Sequence, residues 1–128
     1  MSGPRVERAR HIMAELSEAL EAAGLDDVTV TIDGTKVPAA SRLRSGSVIL
    51  LKPPSLTFPT YDSTEIEWSV VIISGPHNNV LAAWDRIDTI IEALAPQMDF
   101  ADATPADFQP LEGPTIPAYA LTYNDPTP

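Results

Sequence analysis

A chain of 128 residues in which 44% of the side chains are hydrophobic can bury one modest core, so we expect a single domain over residues 1–128. It contains no cysteine, which excludes a disulfide framework, a thiolate metal site and a cysteine nucleophile. The net charge is −10, and Arg86 is the only basic residue after Lys52, so a groove that grips nucleic-acid phosphates is not expected.

The first residues, MSGPRVERARHIM, lack the continuous apolar segment of a signal peptide. No apolar run in the chain approaches the roughly 18 residues that span a bilayer. We therefore expect assembly in the cytoplasm, with no insertion into a membrane.

The first predicted element is an amphipathic helix from Pro4 to Ala23, stopped by Gly24. Apolar residues recur there at steps of three and four, which is the period of one helix face. The predicted buried stripe consists of Val6, Ala9, Met13, Leu16, Leu20 and Ala23.

The segment DVTVTID at residues 27–33 alternates strictly and predicts a half-buried strand. Residues 34–46 have no period and predict a mobile loop. SVILL at residues 47–51 follows as a short strand.

The segment KPPSLTFPTYDS at residues 52–63 combines three prolines with large apolar side chains. Because proline lacks the backbone N–H, we expect Pro53, Pro54 and Pro59 to hold this segment extended and to keep it from pairing with other strands.

EIEWSVVIISG, which begins at Glu65, predicts a strand that enters the middle of a sheet. NNVLAAWDRIDTIIEALAP predicts a second helix, capped by Asn78 or Asn79 and ended by Pro96. Its predicted buried face consists of Val80, Trp84, Ile87, Ile91 and Leu94. Both tryptophans, Trp68 and Trp84, are thus expected in the core.

Two further strands are predicted near residues 98–103 and 117–123, and residues 124–128 are expected to fray. The resulting order is α-β-β-β-α-β-β. It predicts an α+β fold with a mostly antiparallel or mixed sheet and both helices on one face.

Candidate chemistry is sparse. His11 and His77 sit in no recognisable catalytic motif, and Asp99, Asp102 and Asp107 lack the dense spacing of a calcium loop. We therefore expect no catalytic, cofactor-binding or metal-binding residues.

Three segments, taken in order, resemble the tail terminator proteins of long non-contractile-tailed (siphovirus) bacteriophages of actinobacterial hosts. They are LLKPPSLTFPTYDS, EIEWSVVIISGPHNNVLAAWDRIDTIIEALAP and DFADATPADFQPLEGPTIPAYALTY, and the resemblance covers roughly residues 5–124.

The resemblance implies a structural virion protein of the tail and neck, and not an enzyme. Its members form a homo-hexameric ring on the head-proximal end of the tail tube, stop tube polymerisation and provide the surface on which the head docks. The implied partners are copies of the chain itself, the tail tube protein and a head-completion protein, while DNA passes through the ring without specific binding.

In such a ring each copy must expose an apolar surface that is buried only on closure. The candidate subunit-interface residues are Pro54, Leu56, Phe58, Pro59 and Tyr61. The alternative is that Leu56, Phe58 and Tyr61 fold back over the protomer's own sheet.

The basic residues Lys36, Arg42 and Arg44 are candidates for contact with the tube or the head-completion protein. Six copies carry a charge of about −60, and Glu65 and Glu67 are candidates to face the lumen and repel passing DNA.

Two other readings stay open. A head-closure protein or a tail tube subunit shares the small size, acidity and prolines of a terminator. A small ligand-binding domain or enzyme would need a concave pocket with convergent polar groups.

Overall fold

The structure is a computed structural model, and it describes residues 3–25, 27–32, 46–60, 63–75, 78–96, 98, 100–109 and 114–125. The elements in chain order are α1 (Pro4–Ala22), β1 (Val28–Thr31), β2 (Ser47–Thr60), β3 (Ser63–Ser74), α2 (Val80–Leu94), β4 (Asp102–Phe108) and β5 (Ile116–Asp125). The predicted order of helices and strands is confirmed.

The five strands form one mixed sheet in the order β1-β2-β3-β5-β4. β1 pairs with β2 in parallel, and the other three pairings are antiparallel. Both helices pack on the same face of this sheet, which we call the helix face. The predicted α+β fold is therefore confirmed.

The helix ends follow the local sequence. Gly24 adopts a φ of +75°, a backbone conformation that suits glycine and ends α1. At the start of α2 the Asn79 side chain accepts a hydrogen bond from the backbone N–H of Ala82 at 3.2 Å. This cap satisfies one of the free N–H groups in the first turn.

Alternation along the central strands gives the sheet two apolar faces. Ile49, Leu51, Val70 and Ile72 are buried between the sheet and the helices, together with Trp68. A second buried cluster lies on the opposite face, and it contains Val48, Leu50, Val71, Ile73, Ile116 and Ala118. This explains why β2 and β3 read as apolar on both sides in the sequence.

The buried stripes of both helices differ from the predicted ones. On α1, Val6 and Ala23 are exposed, and Ile12 and Ala19 are buried in the core with Leu16. Val6 and Ala23 fit the same helical spacing as the buried residues, but Val6 lies in the first turn of α1 and Ala23 is its C-cap, so both stand at the ends of the buried stripe.

On α2, the prediction was wrong for Val80 and Trp84, both of which are exposed, whereas Ala83 is fully buried. A small side chain at the contact lets a helix approach a sheet closely, so Ala83 faces the sheet and the large Trp84 is displaced to the flank.

The last two strands also differ from the expectation at residues 98–103. β4 begins only at Asp102, and the buried Met98 belongs to the turn after α2. β4 is an edge strand, where Pro105 can be accommodated without losing a ladder hydrogen bond. Asn124 and Asp125 were expected to fray but pair with β3, whereas residues 126–128 lie outside the described residues.

The proline segment was expected to stay unpaired, and this prediction was wrong. β2 continues to Thr60 and pairs with β3 along most of its length. The described pairs of β1 with β2 end at Leu50, so the segment has one partner strand rather than two. Proline is tolerated there because no second strand has to receive a hydrogen bond from the backbone N–H that proline lacks.

Candidate self-association surfaces

We call residues 52–60 of β2 and 63–67 of β3 the arm. Beyond the pair Ile66–Asp125, the described residues of β3 pair only with β2, so the outer part of the arm is a two-stranded ribbon. A ribbon of two strands is too narrow to bury its own apolar side chains without a further strand or a helix packed against it.

A β-bulge at the base of the arm sets which way its side chains point. Lys52 pairs with Ser69 and Ser55 pairs with Glu67, so Pro53 and Pro54 together oppose the single residue Trp68. An extra residue in one strand reverses the facing of every residue after it. Leu56 thereby joins the helix face opposite Ile66, whereas straight pairing would have placed it on the other face.

The arm exposes apolar side chains, and we call Leu56 and Phe58 the arm patch. Leu56 is 37% exposed and Phe58 is 64% exposed. They are two residues apart in β2, and a second register shift, between Thr57 and Thr60, begins at Phe58. The alternative that these two residues fold back over the protomer's own sheet is therefore wrong for Phe58 and holds only in part for Leu56.

The remaining candidate interface residues carry less information. Pro54 is half-buried at the bulge. The backbone of Pro59 belongs to β2, but its side chain and the whole of Tyr61 lie outside the described residues, so the prediction for these two stays a prediction.

Glu65 and Glu67 are exposed and lie on the face opposite the helices, since they alternate with the buried Ile66 and Trp68. Asp102 lies on the same face of the sheet, where its Oδ1 accepts a hydrogen bond of 2.9 Å from the Thr122 hydroxyl. The arm is thus apolar on one side and acidic on the other.

A second apolar surface lies between α2 and the β4–β5 edge of the sheet. It is a groove of about 270 Å³ lined mainly by Val80, Trp84, Ile87, Pro105, Pro117 and Tyr119, and we call it the α2 groove. Trp84 is 50% exposed at its wall. Asp107 supplies the one charged side chain among its lining residues.

The apolar surface continues outward from the α2 groove. Val80 and Leu81, in the first turn of α2, are both more than half exposed. Sequence periodicity missed this surface because Val80 and Trp84 also fit a helical step with Ile87 and were assigned to the core. The signal that could have found it is the pair Ala82 and Ala83, small residues that make a better contact with the sheet than Trp84.

The arm patch and the α2 groove lie at opposite ends of the sheet. Leu56 is level with Ile66 on β3, and Tyr119 of the groove is level with Ile72. Six residues of strand separate these two levels, which corresponds to about 20 Å. Phe58 is farther still from the groove.

Other candidate residues form no reactive centre. His11 is exposed on α1, and the residues that the structure describes include no group of three or more His, Cys, Asp or Glu side chains placed to hold a metal ion. His77 and Asp99 lie outside those residues, as do Lys36, Arg42 and Arg44 and the rest of the predicted loop except Gly46.

A smaller cleft of about 150 Å³ lies beside α2 and β1. At its edge the Arg86 guanidinium forms an ion pair with Asp27 at 3.8 Å. Ser47 also lines it, but its hydroxyl is buried in a 2.9 Å hydrogen bond with that of Ser74. This serine is therefore held in a structural contact.

A scan of protein-family models gives no match to this chain, and a search of curated protein sequences gives none either. Neither helix in the described part of the chain has the length and apolarity needed to cross a membrane.

Proposed function

We propose that this protein is a structural subunit of a bacteriophage virion, and specifically a tail terminator. In this role six copies form a ring on the head-proximal end of a tail tube, stop the addition of further tube subunits and present the surface on which the head docks. The proposal joins the sequence resemblance over residues 5–124 to the surfaces that the protomer leaves exposed.

The observation that supports the proposal most strongly is the pair of separate apolar surfaces. The arm patch and the α2 groove are both solvent-exposed, and about 20 Å of sheet lies between them. A subunit that uses two different surfaces makes head-to-tail contacts, and such contacts generate closed rings or open filaments.

The acidic side of the arm fits the passage of DNA. Glu65 and Glu67 lie on the face opposite the helices, and with Asp102 they make that end of the face negative. If this face lines the ring, its carboxylates repel the phosphates of the genome, which then slides without adhering. The proposed lumen is thus the sheet face opposite the helices, at the arm end.

The basic residues Lys36, Arg42 and Arg44 are proposed to contact the tube or the head-completion protein. They are three of the eight basic residues in a chain of net charge −10, and they stand close together in the sequence. Reversing the charges of Arg42 and Arg44 should weaken binding to one of these partners, and unaltered assembly would rule out this role.

Assembly behaviour separates the terminator from the nearest alternative. Electron microscopy of the concentrated protein, alone and mixed with isolated tails that lack a head, should reveal closed rings of six copies or caps at one end of each tail. Tubes that grow with concentration would instead identify a tail tube subunit. A protein that neither closes into rings nor binds a tail end would contradict the proposal.

A further inference from the structure

We propose that the α2 groove is the receptor for the arm patch of a neighbouring copy, with Phe58 of one copy seated against Trp84 of the next. The inference deepens the proposed function and rests on it for the idea that copies meet head to tail. It adds the two surfaces that meet and the side chains that carry the contact.

The two surfaces cannot cover each other within one copy. Leu56 and Tyr119 are separated by about 20 Å along the sheet, and the hydrogen-bonded pairing of β2 with β3 fixes the direction of the arm. An arm bent back onto its own groove would have to break that pairing. The arm of a second copy can reach the groove while the pairing of β2 with β3 is kept in both copies.

The volume and lining of the α2 groove indicate what kind of occupant it takes. The α2 groove is open to solvent, and its volume of about 270 Å³ is close to the lower end of the 300–1,000 Å³ that is typical of small-molecule sites. Such sites also present several convergent polar groups, whereas Asp107 is the one charged side chain that lines this groove. A groove walled by Trp84, Tyr119 and two prolines suits one or two apolar side chains, and an aromatic ring above all.

The charges on the arm and in the groove favour docking by the apolar side of the arm. Leu56 lies on the opposite side of the arm from Glu65 and Glu67, so the apolar side can enter the groove while these carboxylates point away from Asp107. Docking by the other side would place like charges against each other, which is unfavourable at an interface. Electrostatic repulsion therefore favours docking by the side of the arm that carries the exposed Leu56.

The size of the patches indicates how strong the contact is. Two exposed side chains on the arm are far fewer than the 20 to 30 residues that each partner contributes to a stable interface, so a single arm–groove contact is weak. In a closed ring each copy makes two such contacts, and closure converts the last one into an intramolecular step of high effective concentration. Association should accordingly be weak and concentration-dependent in solution and stronger on a tail tip.

The test replaces Phe58 by the photo-crosslinking amino acid p-benzoylphenylalanine, which keeps an apolar aromatic side chain at that position. The full-length protein is irradiated at high concentration as a mixture of light and nitrogen-15-labelled chains, and mass spectrometry identifies the joined peptides. We expect peptides containing residues 80–87 or 105–119 that come from the other copy. The control carries the same amino acid in place of Val6, another exposed apolar residue, and should not label those peptides.

A second variant, Trp84→Ser, completes the test, because this half-exposed residue can be changed with little expected effect on folding. It should lower the yield of the crosslink from position 58 at least tenfold, while circular dichroism reports an unchanged fold. A crosslink to the same copy, to another surface of the other copy, or to no copy at all would overturn the inference.

These outcomes separate the inference from the proposed function. A crosslink to another surface of a second copy would refute the groove as receptor and leave the ring intact as a proposal. A crosslink to the groove in a protein whose loss leaves virions normal would support the contact and refute the terminator role.

Discussion

Leu56 lies directly opposite Ile66 in the β2–β3 pairing, yet Leu56 is 37% exposed and Ile66 is buried. Ile66 packs into the core beneath the helices, whereas Leu56 lies outside that buried cluster. The boundary between the protomer's core and its assembly surface therefore runs across a single pair of residues. The bulge at Pro53 and Pro54 is what places Leu56 on this side.

The bulge can be tested by a matched pair of variants. Deleting Pro53 removes the extra residue but preserves the pairs Ser55–Glu67 and Leu56–Ile66, so self-association should be kept. The second variant, Pro53→Val with Pro54→Thr, keeps the length of the strand and restores two backbone N–H donors. It therefore favours pairing without a bulge, in which Leu56 lies opposite Glu65 and on the same face as that residue. This variant should lose association. Nuclear Overhauser contacts of Leu56 and sedimentation measure the two effects, and equal association of both variants would contradict the role of the bulge.

Phe58→Ser should weaken self-association with little change in the protomer. Phe58 is largely exposed, so the free energy of unfolding should change by less than about 0.5 kcal/mol. If the phenyl group of Phe58 anchors the contact between copies, the free energy of association should weaken by about 2 kcal/mol, which corresponds to a roughly thirtyfold higher dissociation constant. Sedimentation velocity across a concentration series checks this, and adding Tyr61→Ser tests the other aromatic residue among the candidate interface residues. Val6→Ser is the control, and an equal effect from it would indicate nonspecific aggregation.

The two tryptophans should differ sharply in their contribution to stability. Trp68 is 1% exposed in the core, so Trp68→Ala should cost about 3–5 kcal/mol or prevent folding. Trp84→Ala at the groove should cost less than about 1 kcal/mol because the side chain is half exposed. Urea denaturation of both variants measures the difference, and similar losses would mean that Trp84 is part of the core after all.

The buried serine pair offers a test of the sheet itself. The hydroxyls of Ser47 and Ser74 are 2.9 Å apart, and that of Ser74 also donates to the carbonyl of Gly75. Ser74→Ala leaves the buried Ser47 hydroxyl without this partner and should cost about 1–3 kcal/mol. Changing both serines to alanine removes the two polar groups together and should come closer to the unaltered stability. A double-mutant cycle from urea denaturation measures the coupling, and strictly additive losses would show that the hydrogen bond contributes nothing.

The proposed acidic lumen predicts a gain of DNA binding on charge reversal. Glu65→Lys with Glu67→Lys should let the assembled ring retain duplex DNA at low salt, and the binding should weaken as salt increases. The control is Asp88→Lys with Glu92→Lys, which makes the same change of charge at exposed positions on α2. Fluorescence anisotropy of labelled DNA compares the two. Equal binding by both variants would mean that only total charge matters and that the acids of the arm do not line a channel.

Much of the fold could be predicted from local pattern because the signals involved are local. Apolar periodicity gave both helices and the central strands, and Gly24 and Asn79 marked helix ends through backbone and cap chemistry. The facing of Trp84 could not be predicted this way. Ala83 and Trp84 are adjacent, and each fits an apolar stripe along α2. In the structure the side of the helix with the small Ala83 packs against the sheet, and Trp84 is left half exposed.

The candidate site was predictable only in part. The resemblance to ring-forming proteins names Phe58 as an interface candidate but leaves open that it folds back over the sheet, and only the structure shows that it is exposed. The pairing of the arm runs against the expectation that its prolines block pairing. Whether a proline breaks a strand depends on how many neighbours that strand has, which is a property of the sheet as a whole. The α2 groove was missed because residues distant in the sequence, from α2, β4 and β5, form it together.

The most direct test of the proposed function is electron microscopy of lysates from a phage that carries a nonsense mutation in this gene. The account predicts tails of abnormal or unregulated length beside filled heads that remain unattached. Tails of normal length beside heads that leak or fail to join would point to a head-closure protein, and a complete absence of tails to a tube subunit. Normal virions would contradict the account altogether.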